Sequence, residues 1–198
     1  MHKHPDADAF MRACLDNPTD TTTRLVFADW LEDTGIPHNT AWAHFIRAKI
    51  EADQHAPDSP ERRALDYKAD WHAQYIRAKL TVCAKVFAAH PGTLLQLLPV
   101  ENIVVRLNGF KPNLVLKQLF PHQFLAAYNT VPFALVEQTV FLAVNDPRNR
   151  EQVAADLSAL YGLYFVAVLA SPTDISHVIA EHFPPSVGRI ISVSSALS

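Results

Sequence analysis

Glycine is scarce in this 198-residue sequence, which contains five glycines, and the two closest of them lie seventeen residues apart. Glycine-rich phosphate loops need two or more glycines within about six residues, because the backbone there must approach the phosphate closely. The sequence therefore excludes nucleotide chemistry that depends on a glycine-rich loop.

Cysteine is almost absent as well, since Cys14 and Cys83 are 69 positions apart and form no C-x-x-C motif. Two scattered thiols are typical of buried apolar side chains in a reducing compartment. The first ten residues lack the apolar core of a secretory signal, and prolines interrupt the longest uncharged stretch, residues 118–136. We therefore expect a cytoplasmic protein that does not insert into a membrane.

An excess of charge of one sign is missing too. The net charge is −3 and the pI is near 6.3, so nothing indicates nucleic acid or an anionic membrane as a partner. Hydrophobic residues make up 49% of the chain and charged residues 19%, which predicts a packed core.

The charged residues are distributed unevenly along the chain. The first 90 residues contain 24 charged side chains, whereas the remaining 108 contain 13. This difference predicts an α+β protein in which a helical region precedes a small mixed-sheet α/β domain. The predicted ranges are 1–90 for the helical module, 91–120 for a connecting hairpin region, 121–183 for the α/β domain and 184–198 for a tail with a candidate strand at 190–193.

Apolar residues in the first region recur at helical spacing. Gly35 is predicted to adopt a left-handed conformation after the second helix. The first predicted helix ends at Asn17-Pro18, the second runs from Thr22 to Asp33, and the third starts after Thr40. The fourth extends from a Ser59-Pro60 cap to His90 with at most one break.

The second region changes to period-two alternation and short apolar runs. Ile103–Leu107 followed by Asn108-Gly109 predicts a hairpin with a type I′ turn. A helix is predicted from Pro121 to Tyr128. From residue 131 the elements have the order β-β-α-β-α, which predicts a parallel, right-handed crossover. These elements are a hairpin of 131–136 and 139–145, a helix capped by Asn149 that ends at Gly162, a strand over 164–170, and a helix with a Ser171–Asp174 capping box.

The ten histidines are the first place to look for a metal site. No two of them have the H-x-x-x-H spacing that places both side chains on one helical face, so we expect no metal. His2, His4 and Asp6 could chelate a metal adventitiously.

Three carboxylates, Asp29, Glu32 and Asp33, lie on the second predicted helix. Such a group can supply a general acid and a general base when burial separates the pKa values, but the solvated face of a helix has the same pattern. Because a G-x-S-x-G motif and an activated cysteine are missing as well, we predict no catalytic residue.

The three tryptophans, Trp30, Trp42 and Trp71, each lie in a different predicted helix. We expect them to be hydrophobic anchors of the helical region. The alternative is an exposed aromatic patch that binds a partner.

Residues 20–49, DTTTRLVFADWLEDTGIPHNTAWAHFIRAK, resemble the start of a bacterial repeat-companion domain family. The residues that carry the resemblance include Arg24, Asp29, Trp30, Glu32, Gly35 and Arg47. The resemblance implies an N-terminal module of larger proteins, and the family has no assigned biochemical activity to carry over to this sequence. We expect one of its two arginines to pair with Asp29 or Glu32 and so to lock two helices together.

Residues 119–183 are similar to the N-terminal domain of type II secretion and type IV pilus assembly ATPases. The residues that carry this resemblance include Tyr128, Asp146-Pro147, Gly162 and Ala180–Phe183. In those ATPases the domain has no catalytic role and docks the motor onto the cytoplasmic domain of a membrane-platform protein. The resemblance therefore implies a docking function, with a secretion-platform component as a candidate partner.

Some relatives of that domain bind cyclic di-GMP through a motif that begins Arg-Leu-Gly. Arg106-Leu107-Asn108-Gly109 is at most a fragment of this motif, and an Asn-Gly turn explains the segment more simply. Arg106, Asn108 and Gly109 are nevertheless the candidate ligand residues.

Three hypotheses about function result. The leading one is a non-enzymatic adaptor that works through protein–protein contact and uses no cofactor. The second is a cyclic-dinucleotide sensor that uses Arg106 and the nearby backbone. The third is an enzyme based on Asp29, Glu32 and Asp33, which requires these acids to face a cleft.

Overall fold

The computed structural model describes residues 5–185, and these form a mixed α/β fold, as predicted. This part of the chain contains ten α-helices, one 3₁₀ turn and five strands. In chain order they are α1 (Pro5–Asp16), α2 (Thr21–Asp33), α3 (Pro37–Ala52), α4 (Pro60–Ala73), β1 (Leu80–Cys83), α5 (Ala84–Ala89), α6 (Pro91–Leu97), the 3₁₀ turn (Val100–Asn102), β2 (Ile103–Arg106), α7 (Leu114–Leu119), α8 (His122–Tyr128), β3 (Thr130–Val136), β4 (Thr139–Val144), α9 (Arg150–Tyr161), β5 (Tyr164–Ala170) and α10 (Pro172–His182). The candidate strand at 190–193 lies outside the described residues.

The described chain divides into two compact units. Unit 1 contains the residues up to Leu80 together with His90–Ile103, and unit 2 contains Thr81–Ala89 together with the residues from Val104 onward. Unit 1 is helical, and unit 2 contains nearly all of the sheet. The domain limits predicted from the sequence, 1–90 for the helical module and 121–183 for the α/β domain, stay predictions. The two units are defined by compactness and do not test those limits.

Helix α3 is the core element of unit 1, where Phe45 and Ile46 are buried. The Trp42 Nε1–H donates a hydrogen bond of 2.5 Å to the Leu97 carbonyl oxygen, which satisfies the polar atom of a buried indole. The Trp42 ring packs edge-on against Phe27 of α2, with the ring centroids 5.0 Å apart. Trp42 is thus one of the predicted anchors, and it holds α2 and α6 against α3.

Helix α2 lies close to its predicted limits. The Asp20 carboxylate accepts the Thr22 backbone N–H at 2.9 Å and so satisfies a donor that the first helical turn leaves free. Gly35, after the other end, has the expected left-handed conformation with a φ of +64°. Helix α3 starts at Pro37, earlier than predicted, because proline is favoured at the first helical position.

The helix predicted from Ser59 to His90 is interrupted by a strand. Ser59 caps α4 as predicted, with its hydroxyl oxygen accepting the Arg62 N–H at 3.1 Å, but the helix ends at Ala73. Strand β1 follows and lies at the edge of the sheet beside β2. Its pairing with a distant segment outweighs the helical spacing of its apolar residues, which local pattern alone cannot reveal.

The hairpin predicted at Asn108-Gly109 is wrong. A turn forms there, with Gly109 at a φ of +68° and the Phe110 N–H donating to the Leu107 carbonyl oxygen at 2.9 Å. It is not the predicted type I′ turn, because that type needs a positive φ at Asn108 as well, and Asn108 does not have one. Within residues 5–185 no return strand follows, since β2 lies between β1 and β5 and has no free edge. Instead, β2 pairs in parallel with β5, with Val104 opposite Leu169.

The second predicted hairpin and the parallel crossover are confirmed. Strands β3 and β4 pair antiparallel along their length, with one irregularity between Pro132 and Ala134. Strands β4 and β5 pair in parallel, and α9 connects them. Gly162 has a φ of +67° at the end of α9, which lets the chain turn at once into β5. The strand order β1-β2-β5-β4-β3 places β5 at the centre of the sheet.

The two capping boxes predicted in the second region do not form. The side chains of Asn149 and Ser171 make no capping hydrogen bond, although Pro172 opens α10 as predicted. The Asp174 carboxylate instead accepts the Leu107 N–H at 3.1 Å. It therefore ties the start of α10 to the end of β2 and satisfies a backbone donor there.

We predict that Gly35→Ala destabilises unit 1 by about 1 kcal/mol, whereas Gly92→Ala leaves its stability unchanged or raises it by up to about 1 kcal/mol. A Cβ atom at either position would meet no other atom within 4 Å, and of the two only Gly35 has a positive φ. The comparison therefore separates backbone conformation from packing. Chemical denaturation followed by circular dichroism measures the effect, and equal effects of the two substitutions would contradict the left-handed assignment.

Candidate functional site

The acidic cluster on α2 is bound by an arginine from α3. Arg47 donates hydrogen bonds to Glu32 at 2.5 Å and to Asp29 at 2.6 Å, and His44 Nε2 lies 3.5 Å from Glu32. The guanidinium joins two carboxylates of α2 to α3, so one of the predicted arginine–acid pairings exists. Asp29, Glu32 and Asp33 are all exposed.

The electrostatics of this cluster favour the ionised form of Glu32. The hydrogen bond from Arg47, together with its charge, holds the pKa of Glu32 below the ordinary value of 4.5. Hydrogen bonds to Asp29 and Glu32 raise the pKa of Arg47 in return. A general acid at neutral pH needs a raised pKa, so Glu32 is not suited to that role.

Arg24, the other predicted partner of the acids, has a different role. It is buried, and its guanidinium donates to the Pro18 carbonyl oxygen at 2.7 Å and to the Thr21 hydroxyl at 3.1 Å. The Thr93 hydroxyl donates to the same Pro18 oxygen at 3.2 Å. Trp30, half-buried on α2, stacks with its aromatic neighbours. These motif residues therefore stabilise the packing of unit 1, and the repeat-companion resemblance itself stays a prediction.

Trp71 does not have the predicted role of a hydrophobic anchor. It is 52% exposed on α4, whereas Trp42 is buried. The alternative, an exposed aromatic patch, therefore applies to this residue. Core and surface aromatics have the same helical spacing, so the sequence could not separate them.

Among the candidate dinucleotide residues, Arg106 ends β2, and Asn108 and Gly109 lie on the turn that follows. Arg106, Asn108 and Gly109 are exposed, while Leu107 between them is buried. The Asp174 carboxylate is hydrogen-bonded to the backbone of this turn. A carboxylate at this position opposes phosphate binding because like charges repel each other. The geometry fits a structural turn better than an anion site.

Asp146 and Pro147 form the turn that leads from β4 into α9. The Asp146 carboxylate accepts the Arg148 backbone N–H at 2.9 Å and two guanidinium hydrogen bonds at 3.1 and 3.0 Å. The side-chain hydrogen bonds from Arg148, followed by the backbone one, hold the pKa of Asp146 below its ordinary range. With Gly162 at the other end of α9, this turn fixes the crossover helix on the sheet.

Unit 2 exposes large apolar side chains that the sequence analysis did not single out. They are Val86, Leu114, Val115, Leu160 and Tyr164. Leu160 is 64% exposed and Tyr164 is 70% exposed, on either side of the turn at Gly162, and we call these two residues the docking pair. The sequence could not identify Tyr164, because all seven residues of β5 are apolar and show no alternation, whereas in the structure its neighbour Phe165 is buried against Tyr161.

Among residues 5–185, no three histidine, cysteine or carboxylate side chains are placed to hold a metal ion together. His44 and His72 have ring centroids 4.9 Å apart, and burial is the main cause that lowers the pKa of His72. His2 and His4 lie outside this part of the chain. The same residues contain no helix with the length and apolar character needed to cross a bilayer.

Comparison with known families shows that residues 97–189 match the MshEN domain. This is the N-terminal domain of type II secretion and type IV pilus ATPases, so the resemblance predicted for residues 119–183 is confirmed. The match also includes β2 and α7, which the prediction left out. No curated protein matches the chain. The matched segment links the chain to secretion or pilus ATPase systems.

We predict that Arg47→Gln raises the pKa of Glu32 toward 4.5, because the substitution removes the cation that stabilises the carboxylate. Lys49→Gln is the matched control, since it breaks the ion pair of α3 with Asp66 and leaves the Glu32 contacts in place. An NMR titration of the side-chain carboxyl resonances measures both variants.

The same ion pair predicts how stability depends on pH. Because the folded-state pKa of Glu32 is lowered, the pair stabilises the protein above the unfolded-state pKa, and its contribution is lost as the pH falls through the folded-state value. The difference in unfolding free energy between wild type and Arg47→Gln should be largest near neutral pH and should shrink in acid. A difference that does not change with pH would contradict the electrostatic role of Arg47.

Proposed function

We propose that this chain is a non-enzymatic adaptor that acts through protein–protein contact, with unit 2 as its docking domain. The observation that supports this function is the MshEN match over residues 97–189, most of which lies in unit 2. In the ATPases that this segment resembles, the domain attaches the motor to the cytoplasmic domain of a membrane-platform protein. We infer a partner of the same kind here, which implies that the chain works in the cytoplasm.

The use of charged side chains in the fold supports contact rather than chemistry. Arg47 binds the α2 acids, Arg24 binds the Pro18 carbonyl oxygen, and Asp146 binds the Arg148 guanidinium. A group with such a structural partner would have to exchange it for a substrate before it could react, and leaving a buried polar atom unpaired is costly. The charged candidates from the sequence are therefore poorly suited to catalysis.

The docking pair is suited to binding a protein surface. Large apolar and aromatic side chains supply most of the binding energy at interfaces. The backbone at Tyr164 is fixed, because its N–H donates to the Gln138 carbonyl oxygen at 3.0 Å and β5 continues from there. A ring on an ordered strand loses little conformational entropy when it is covered. The docking pair is therefore the surface we assign to the platform partner.

We predict that the full chain binds the purified cytoplasmic domain of the platform protein from its own host. The double variant Leu160→Ser/Tyr164→Ser should bind at least about tenfold more weakly, because truncated interface anchors typically cost more than about 1 kcal/mol. Val26→Ser is the control, since Val26 is 48% exposed but lies on α2 in unit 1. Isothermal titration calorimetry measures the affinities.

Three results would count against this proposal. If the folded wild-type chain does not bind the platform domain, the proposed docking function is wrong. If the double variant binds as wild type does, the docking pair is not the contact surface. Turnover of a hydrolase or transferase substrate by the purified chain would contradict the non-enzymatic assignment.

A cyclic-dinucleotide sensor is the second candidate, because the exposed Arg106 lies inside the MshEN match. We predict no heat of binding when cyclic di-GMP is titrated to high micromolar concentration, since the Asp174 carboxylate lies at the same turn. Binding that Arg106→Ala abolishes, and that the exposed control Lys117→Ala leaves intact, would reverse this conclusion and establish the sensor.

A further inference from the structure

A row of exposed aromatic side chains runs along α4 and continues just past its end, in unit 1. Tyr67 and Trp71 are four residues apart on one face of α4, and Tyr75, just past the helix end, contacts the Trp71 ring. The three side chains are 75%, 52% and 45% exposed. We call these three residues the aromatic stripe. Clustered exposed aromatics are typical of interaction surfaces. The docking function proposed for unit 2 makes no use of them.

The rings of the stripe are held in place by their neighbours. The Trp71 and Tyr75 ring centroids are 5.3 Å apart, and Trp71 meets His72 edge-on at 4.8 Å. His72 is buried and contacts His44 of the core helix α3. The middle of the stripe therefore rests on ordered side chains. Rings that are ordered before binding lose little entropy when a partner covers them.

Basic side chains border the stripe. Arg63 and Lys68 are exposed on α4, and Arg77 and Lys79 are exposed on the segment that follows it. None of these four forms an ion pair within the described part of the chain. By contrast, Lys49 is paired with Asp66, and Arg62 is paired with Asp53 and Asp66. Four available cations thus surround an apolar surface in a chain whose net charge is −3.

We propose that the aromatic stripe is a docking site for an acidic peptide segment of a partner protein, one that carries apolar side chains between its carboxylates. The apolar side chains pack against the rings of Tyr67 and Trp71, while the carboxylates pair with the bordering cations. This arrangement, an apolar centre with a charged rim, is the usual anatomy of a specific interface. The proposal goes beyond the docking function of unit 2 and stands or fails independently of it.

Two observations favour a peptide over single-stranded nucleic acid, which also binds surfaces that combine aromatic rings with cations. Glu61 and Asp70 are exposed on the same helix and would repel any anion that lies opposite them. A nucleic-acid backbone carries a phosphate at every nucleotide, whereas a peptide can place its apolar side chains opposite these two carboxylates. The Trp71 and Tyr75 rings are inclined at 63° to each other, so they do not offer the parallel faces on which successive bases stack. A peptide needs neither a uniform positive surface nor parallel rings.

The test uses the full chain and a random peptide library displayed on phage. Enriched peptides are synthesised, and calorimetry measures their binding to wild type, to Tyr67→Ala/Trp71→Ala and to Leu114→Ala. We expect the enriched peptides to be acidic with apolar residues and to bind the stripe variant at least about tenfold more weakly. Leu114, which is 68% exposed in unit 2 and lies outside the docking pair, is the control and should leave the affinity unchanged. Added salt should weaken binding to wild type.

Other outcomes overturn the proposal. Enriched peptides that are neutral or basic would contradict the pairing of carboxylates with the bordering cations. Unchanged affinity of the stripe variant for the enriched peptides would place the binding site elsewhere. Tighter binding of oligothymidylate than of the best peptide would identify nucleic acid as the occupant. A dimer in sedimentation velocity that the stripe variant loses would identify a second copy. The single variant Tyr67→Ala is the control for misfolding of the double variant. It removes mostly exposed surface, so it should fold normally and still bind the peptide more weakly than wild type.

Discussion

The central position of β5 is the constraint on which unit 2 depends. This strand pairs in parallel on both sides, with β2 at Val104 and with β4 up to Val144, so it joins segments that are distant in sequence. Parallel neighbours cannot be linked by a tight turn, which explains the crossover helix α9 and the left-handed Gly162 that ends it. The same arrangement brings the start of α10 to the end of β2, where Asp174 accepts the Leu107 N–H.

The packing of unit 1 depends on arginine side chains that join separate segments of the chain. Arg24, Arg47 and Arg62 each donate to oxygen atoms of another segment of the unit, and the planar guanidinium suits this role because it donates in several directions at once. These charges stabilise the fold of unit 1. The surfaces that we propose for binding, the docking pair on unit 2 and the aromatic stripe on unit 1, are instead apolar and exposed.

Sequence signals were reliable where the interacting residues are neighbours in the chain. The β3–β4 hairpin and the left-handed Gly35 depend on adjacent residues, and both are confirmed. The Asn108-Gly109 turn has an equally strong local signal, but the partners of β2 are distant strands that leave it no free edge. The same limit applies to the candidate site. Arg47 could be named as a partner of the α2 acids, whereas the burial of Arg24 depends on the carbonyl oxygen of Pro18, which has no sequence signature.

Hydrogen–deuterium exchange of the full chain, with and without the cytoplasmic domain of the platform protein, tests most directly whether the chain acts by docking through unit 2. The account predicts slower exchange within unit 2, above all in peptides that span the docking pair, and unchanged exchange in unit 1. Slower exchange confined to unit 1, or an identical pattern at saturating partner concentration, would contradict it.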